Sequence, residues 1–105
     1  MSEQHYTAPI ADMRFLLEEV LDVSGVFGRG VYDGVDAEVA RAVLEQGGRF
    51  ATEVLGPLNA EGDAVGSQLI DGVVRTPPGF LDAFRRYREA GWIGLDLPAE
   101  YGGQG

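Results

Sequence analysis

A chain of 105 residues is shorter than most domains, so a single domain or a piece of a larger one is expected; surface scaling gives roughly 16,000 Å² exposed when unfolded and roughly 6,000 Å² when compact, enough for a modest core. Seventeen acids oppose eight arginines and no lysine, giving a net charge of −9 spread evenly over both halves, so nucleic acid, whose binding rests on phosphate neutralisation, is the least favoured partner. Zero cysteines exclude disulfides, thiolate metal sites and thiol catalysis, and no apolar run approaches the roughly 20 residues of a membrane span.

The opening Met1-Ser-Glu-Gln-His5 carries an acid and no basic segment ahead of an apolar stretch. A secretory signal is therefore not expected, and a cytoplasmic location fits. The first helix is predicted from about Ala11 to Ser24, with Asp12 as N-cap and Gly25 as its stop. Its 3.6-residue period sets Met13, Leu16, Leu17, Val20 and Leu21 on one face and Arg14, Glu18, Glu19 and Asp22 on the other. Phe15 falls among the charges, so it is either covered by a second surface or a scattered exposed apolar residue.

A second helix is predicted from an Asp36 N-cap to about Gly56, where Pro57 ends or kinks it. Val39, Ala40, Val43, Leu44, Phe50, Ala51, Val54 and Leu55 form an apolar stripe opposite Glu38, Arg41, Glu45, Arg49 and Thr52. Gly47 and Gly48 interrupt it. Gly47, at the centre of the stripe, reads as a point of close helix approach, with a tolerated weak point as the alternative. Next, Gln68-Leu-Ile-Asp-Gly-Val-Val74 reads either as a short hairpin turning at Asp71-Gly72 or as an irregular loop with one turn.

The third helix opens at Thr76-Pro77-Pro78 with the threonine as cap, carries Phe80, Ala83, Phe84 and Tyr87 on one face, and stops at Gly91. Arg85, Arg86 and Arg88 are the one basic cluster in the sequence. They read as a solvated face with local Asp82 and Glu89 pairs, or as contacts to an acidic group on a partner or another domain. The tail Trp92 to Pro98 is apolar and expected to be extended. The fold expected is all-α, an antiparallel bundle of about three main helices with a short hairpin or loop between the second and third.

Candidates for chemistry are few. His5, the sole histidine, sits in an N-terminal arm expected to fray, and Ser2, Ser24 and Ser67 have no histidine near them in sequence. No acid spacing matches a calcium loop or a catalytic carboxylate pair. Gly25 to Gly30 follows a helix where a dinucleotide fingerprint would lead from strand into helix, and Gly102-Gly103-Gln104-Gly105 has no helix after it. Both read as turns.

Thr76-Pro-Pro-Gly-Phe80, Glu89-Ala-Gly-Trp-Ile-Gly-Leu95 and Leu97-Pro-Ala-Glu-Tyr-Gly-Gly-Gln-Gly105 together resemble the N-terminal helical domain of the acyl-CoA dehydrogenase family. Tyr6 to Val20 resembles the start of a branch of larger members acting on methylthiopropanoyl-CoA and related thioesters, and Gly62-Asp63 and Asp71-Gly72-Val73 follow in the family's order. The resemblance implies an enzyme that oxidises the α,β bond of an acyl-CoA, with FAD accepting the hydride and a glutamate taking the α proton. It also implies electron-transfer flavoprotein as partner and a homo-oligomer. The glutamate, most FAD contacts and the CoA site would come from a middle β domain and a C-terminal helical domain beyond Gly105, so no acid of this chain inherits the catalytic role and no tight FAD binding by the chain alone is expected. What carries over is a part in the cavity wall for Tyr101, Gly102 and Gly103, and in the domain interface for Phe15, Arg85, Arg86 and Arg88. The competing class is a free-standing acidic helical module that docks on a larger partner. An acyl carrier protein is disfavoured because no Asp-Ser-Leu attachment site is present.

Overall fold

The computed structural model describes residues 6–32 and 34–105, so His5 and Ser2 lie outside the described residues. The chain forms two compact units, the first running to Gly56 and the second from Pro57 to Gly105. Helix predominates, and the exception among the described residues is one two-stranded antiparallel hairpin.

In the first unit, α1 spans Ile10–Phe15 and runs on through a π turn, Leu16–Val20, in which the Leu21 N–H donates to the Leu16 carbonyl at 2.8 Å. Pro9, and not Asp12, precedes its first helical residue. Asp12 sits inside the first turn, where its charge still suits the helix dipole. The helix also ends earlier than expected: Asp22 takes a left-handed φ of 50°, which a short polar side chain tolerates, and the chain re-enters a short helix, α2, Val23–Phe27. Gly25, the expected stop, lies within α2.

The apolar stripe expected to be buried points outward. Met13, Leu16, Val20 and Leu21 are 42, 51, 58 and 65% exposed, while Ile10, Arg14, Leu17 and Glu18 are half-buried. Ile10, Arg14, Leu17 and Glu18 keep helical spacing, so a neighbouring face of the helix from the predicted one turns inward, and the π turn then brings Leu21 over Leu16.

Helix α3 spans Ala37–Phe50, and the Val39 N–H donates to Asp36 Oδ1 at 2.8 Å, the N-cap the sequence predicts. Helical structure does not stop at Pro57. It passes through a π turn, Ala51–Leu55, into α4, Gly56–Val65. A proline crowds the carbonyl four residues back and cannot donate, and the wider turn just before it, with the Gly56 N–H on the Ala51 carbonyl, absorbs that mismatch. The same π turn brings Thr52, expected on the polar face, to a half-buried position where its Oγ1 accepts from the Ala8 N–H at 3.0 Å.

Close approach occurs at Gly48. Gly48 is buried, and a Cβ there would lie 2.7 Å from Ile10 Cγ1 and 3.4 Å from the Ala8 methyl. Gly47, in the same stripe, is half-buried.

In the second unit, Gly66 at φ 67° ends α4. Strands β1, Gln68–Ile70, and β2, Val73–Arg75, pair with Leu69 opposite Val74 and Ile70 opposite Val73, and all six residues are exposed. Asp71 and Gly72 both adopt positive φ, 50° and 78°, the pair of angles a type I′ turn requires, so the hairpin reading holds over the irregular loop. Helix α5, Phe80–Glu89, begins later than expected: Thr76 does not cap it. A residue before proline is steered away from helical angles, and the chain instead turns through Pro77, whose carbonyl accepts from the Phe80 N–H at 3.3 Å, with Gly79 at φ 86°. Gly91, at φ 87°, follows α5 as expected. Pro77 and Ala83 are buried, and Gly62 leaves room for the Phe80 ring, whose Cζ would be 2.6 Å from a Cβ at that position.

Gly48→Val should lower unfolding stability by about 1–3 kcal/mol, the usual cost of overpacking a filled contact, because Ile10 Cγ1 has to move; urea denaturation measures it.

Candidate functional site

The tail after α5 is folded, not extended. Two 3-10 turns, Trp92–Gly94 and Ala99–Tyr101, are tied by backbone donors: Gln104 N–H to the Gly94 carbonyl and Gly105 N–H to the Leu97 carbonyl, both 2.8 Å, and Gly103 N–H to the Pro98 carbonyl at 3.0 Å. Gly94 and Gly103 close the loop on itself, since a Cβ on Gly94 would be 3.3 Å from Gly103 Cα and one on Gly103 would overlap the Leu97 carbonyl. Gly102, at φ 85°, has open space around it, and Tyr101 beside it is 77% exposed. The structure thus sets Tyr101 and Gly102 on an accessible tip, while Gly103 is spent on packing the loop.

Phe15 is exposed, at 59%. Arg85, Arg86 and Arg88 are exposed along α5, and among the described residues none of the three makes an ion pair or side-chain hydrogen bond, with Asp82 and Glu89 included. Phe15 belongs to the first unit and the arginines to the second.

One cluster was not foreseen. Glu18 Oε1 accepts from Arg41 Nε at 2.9 Å, lies 2.9 Å from Arg41 Nη2, and has Arg14 Nε 3.6 Å away. Arg14 Nε is shielded from solvent and, at that distance, too far for a hydrogen bond. The three side chains border a shallow surface dent with Leu17, Val23, Ala37, Ala40 and Leu44. The wheel assigned Glu18 and Arg41 to solvent faces. The available signal was their opposite charge on helices α1 and α3, which meet through those faces. The Glu18–Arg41 pair is a structural tie between the first helix and α3.

Among the described residues no group of His, Asp or Glu is placed to hold a metal, and no helix is long and apolar enough to cross a membrane. Neither glycine-rich run suits a dinucleotide: Gly25 lies within α2 and Gly102 to Gly105 closes the terminal loop, so neither leads from a strand into a helix N-terminus.

The described residues are mainly helical with apolar side chains at the surface, and comparison with known proteins shows what the chain is related to. The chain is 37% identical over 100 residues to the 3-methylmercaptopropionyl-CoA dehydrogenase of Ruegeria pomeroyi, covering 95% of this chain and 17% of that protein. It is 32% identical over 97 residues to a broad-specificity linear acyl-CoA dehydrogenase, FadE5, of Mycobacterium tuberculosis, covering 88% of this chain and 16% of that protein. No protein-family model matches. The chain is thus a homologue of acyl-CoA dehydrogenases and spans about one sixth of the length of these relatives, as a domain or fragment of such an enzyme would.

Two substitutions probe these arrangements. Glu18→Gln should cost about 1 kcal/mol in dilute buffer, with the difference from the parent chain shrinking in molar salt as the ion pair is screened. Gly103→Ala should disorder the terminal loop, read as a rise in Trp92 fluorescence quenching by iodide, because its methyl cannot coexist with the Leu97 carbonyl.

Proposed function

We propose that this chain is the N-terminal helical domain of a flavin-dependent acyl-CoA dehydrogenase and that it neither holds FAD nor oxidises acyl-CoA by itself. The observation that carries this reading is the extent of the match: nearly all of the chain aligns with about one sixth of two acyl-CoA dehydrogenases. The outward Met13, Leu16, Val20 and Leu21, and an α5 face whose arginines have no partner among the described residues, support it, because surfaces of that kind await neighbours. In the intact enzyme the helices pack as an antiparallel bundle. Phe15, Arg85, Arg86 and Arg88 meet the other domains, and Tyr101, Gly102 and Gly103 stand at the wall of the acyl and flavin cavity. FAD, the acyl-CoA thioester and electron-transfer flavoprotein are engaged by the whole protein, a cytoplasmic homo-oligomer.

The purified chain should be colourless, bind a hydrophobic dye and associate in sedimentation experiments. A chain that retains stoichiometric flavin absorbance would sink the claim that FAD needs the other domains. A strictly monomeric, dye-silent chain would favour the free-standing acidic module.

A further inference from the structure

We infer that Asp71 is a site of spontaneous main-chain modification: the Gly72 nitrogen closes on the Asp71 side chain to form a succinimide, and water reopens that ring to isoaspartate. The two residues form the tip of the β1–β2 hairpin, both are exposed, and both hold positive φ, 50° and 78°. Gly72 has no side chain to obstruct the approach, no atom beyond its chain neighbours lies within 4 Å of the place a Cβ would take, and its N–H donates to no backbone carbonyl among the described residues. Helical aspartates contrast with it. Asp82 precedes Ala83, whose N–H is held by the Gly79 carbonyl at 2.9 Å, and Asp63 precedes Ala64 within α4. Asp22 shares the left-handed φ of 50°, but the residue after it is Val23, whose branched side chain crowds the attacking nitrogen.

The step balances with no reagent other than water. The Gly72 nitrogen forms a bond to Asp71 Cγ, and the carboxyl hydroxyl leaves with the amide proton as water. Addition of water at the imide carbonyl that was the Asp71 main-chain carbonyl breaks its bond to the Gly72 nitrogen and yields isoaspartate; addition at Cγ restores aspartate. Ring closure needs the Asp71 ψ to leave its turn value, so the hairpin opens first. Two three-residue strands with every side chain exposed resist that opening weakly. Isoaspartate adds a methylene to the main chain of a two-residue turn, so the Leu69–Val74 and Ile70–Val73 pairing cannot reclose in register.

The test is incubation of the 105-residue chain in heavy-oxygen water at near-neutral pH, then digestion with trypsin in ordinary water and fragment-ion mass spectrometry, since each passage through the ring leaves a heavy oxygen at the residue that closed. Asp63 and Asp71 fall in the tryptic peptide 50–75, apart from the second Asp-Gly pair, Asp33-Gly34, in the peptide 30–41. Asp71 should take up label at least about tenfold faster than Asp63 or Asp82, whose backbone is held in helix. Its rate should lie within about tenfold of that in a synthetic peptide of residues 66–77, the difference a marginal hairpin allows. Gly72→Ala should slow uptake at Asp71 severalfold, because a methyl now stands beside the attacking nitrogen. Uptake at Asp71 no faster than at Asp63 and Asp82 would overturn the assignment. So would a rate more than about tenfold below the peptide's, which would show the closed turn protecting the site, or a rate unchanged by Gly72→Ala.

Discussion

Too little partner surface for too much apolar face is the constraint under which this chain folds. A domain of about 60 residues buries only about 60% of the surface its unfolded chain exposes, and here two units of that scale or smaller must each find a core. The outcome is visible side chain by side chain: Pro77 and Ala83 are buried, and the described leucines, valines and aromatics are at best half-covered. Glycine substitutes for bulk in this setting. Gly48 lets Ile10 press onto α3, Gly62 admits the Phe80 ring, and Gly79 makes room for Leu58, so contacts form by backbone approach where thick side-chain layers are lacking.

The two π turns shape how those few contacts are made. Each inserts one residue into a helix whose apolar pattern has a 3.6-residue period, and each turns the following residues out of phase. Along the first, Val20 and Leu21 are exposed, and Glu18 lies between Arg14 and Arg41 on the inner side. After Phe50 it draws Thr52 inward to cap the Ala8 N–H and lets the helix run through Pro57. The ion pair at Glu18 is partly solvated and modest in energy. Its structural effect is directional, since it decides which side of α1 meets α3.

These features fit a piece that functions within a larger protein. A self-sufficient domain turns its leucines in and its charges out. This one spends its charges on an internal tie and leaves an apolar strip and an arginine row outside. The chemistry of dehydrogenation needs a base, a cofactor bed and a thioester site, and the described residues offer acids on solvated faces and glycines engaged in turns.

Much of this was determined by the sequence alone. Asp36 capping α3, the type I′ turn at Asp71-Gly72, the stop at Gly91 and the kinship to acyl-CoA dehydrogenases were legible because each depends on a few neighbouring residues or on collinear motifs. Turn chemistry and N-caps are local, and local energetics survive folding. The outward face of α1, the Glu18 tie, the passage through Pro57, the late start of α5 and the folded terminal loop were decided by tertiary structure. A helical wheel assumes one period, and a π turn changes it. A proline's effect depends on whether the preceding turn can widen, and the tail closes through hydrogen bonds from Gln104 to Gly94 and from Gly105 to Leu97 that local propensity does not encode. What covers an apolar face depends on contacts beyond its own helix, and no pattern within α1 encodes them.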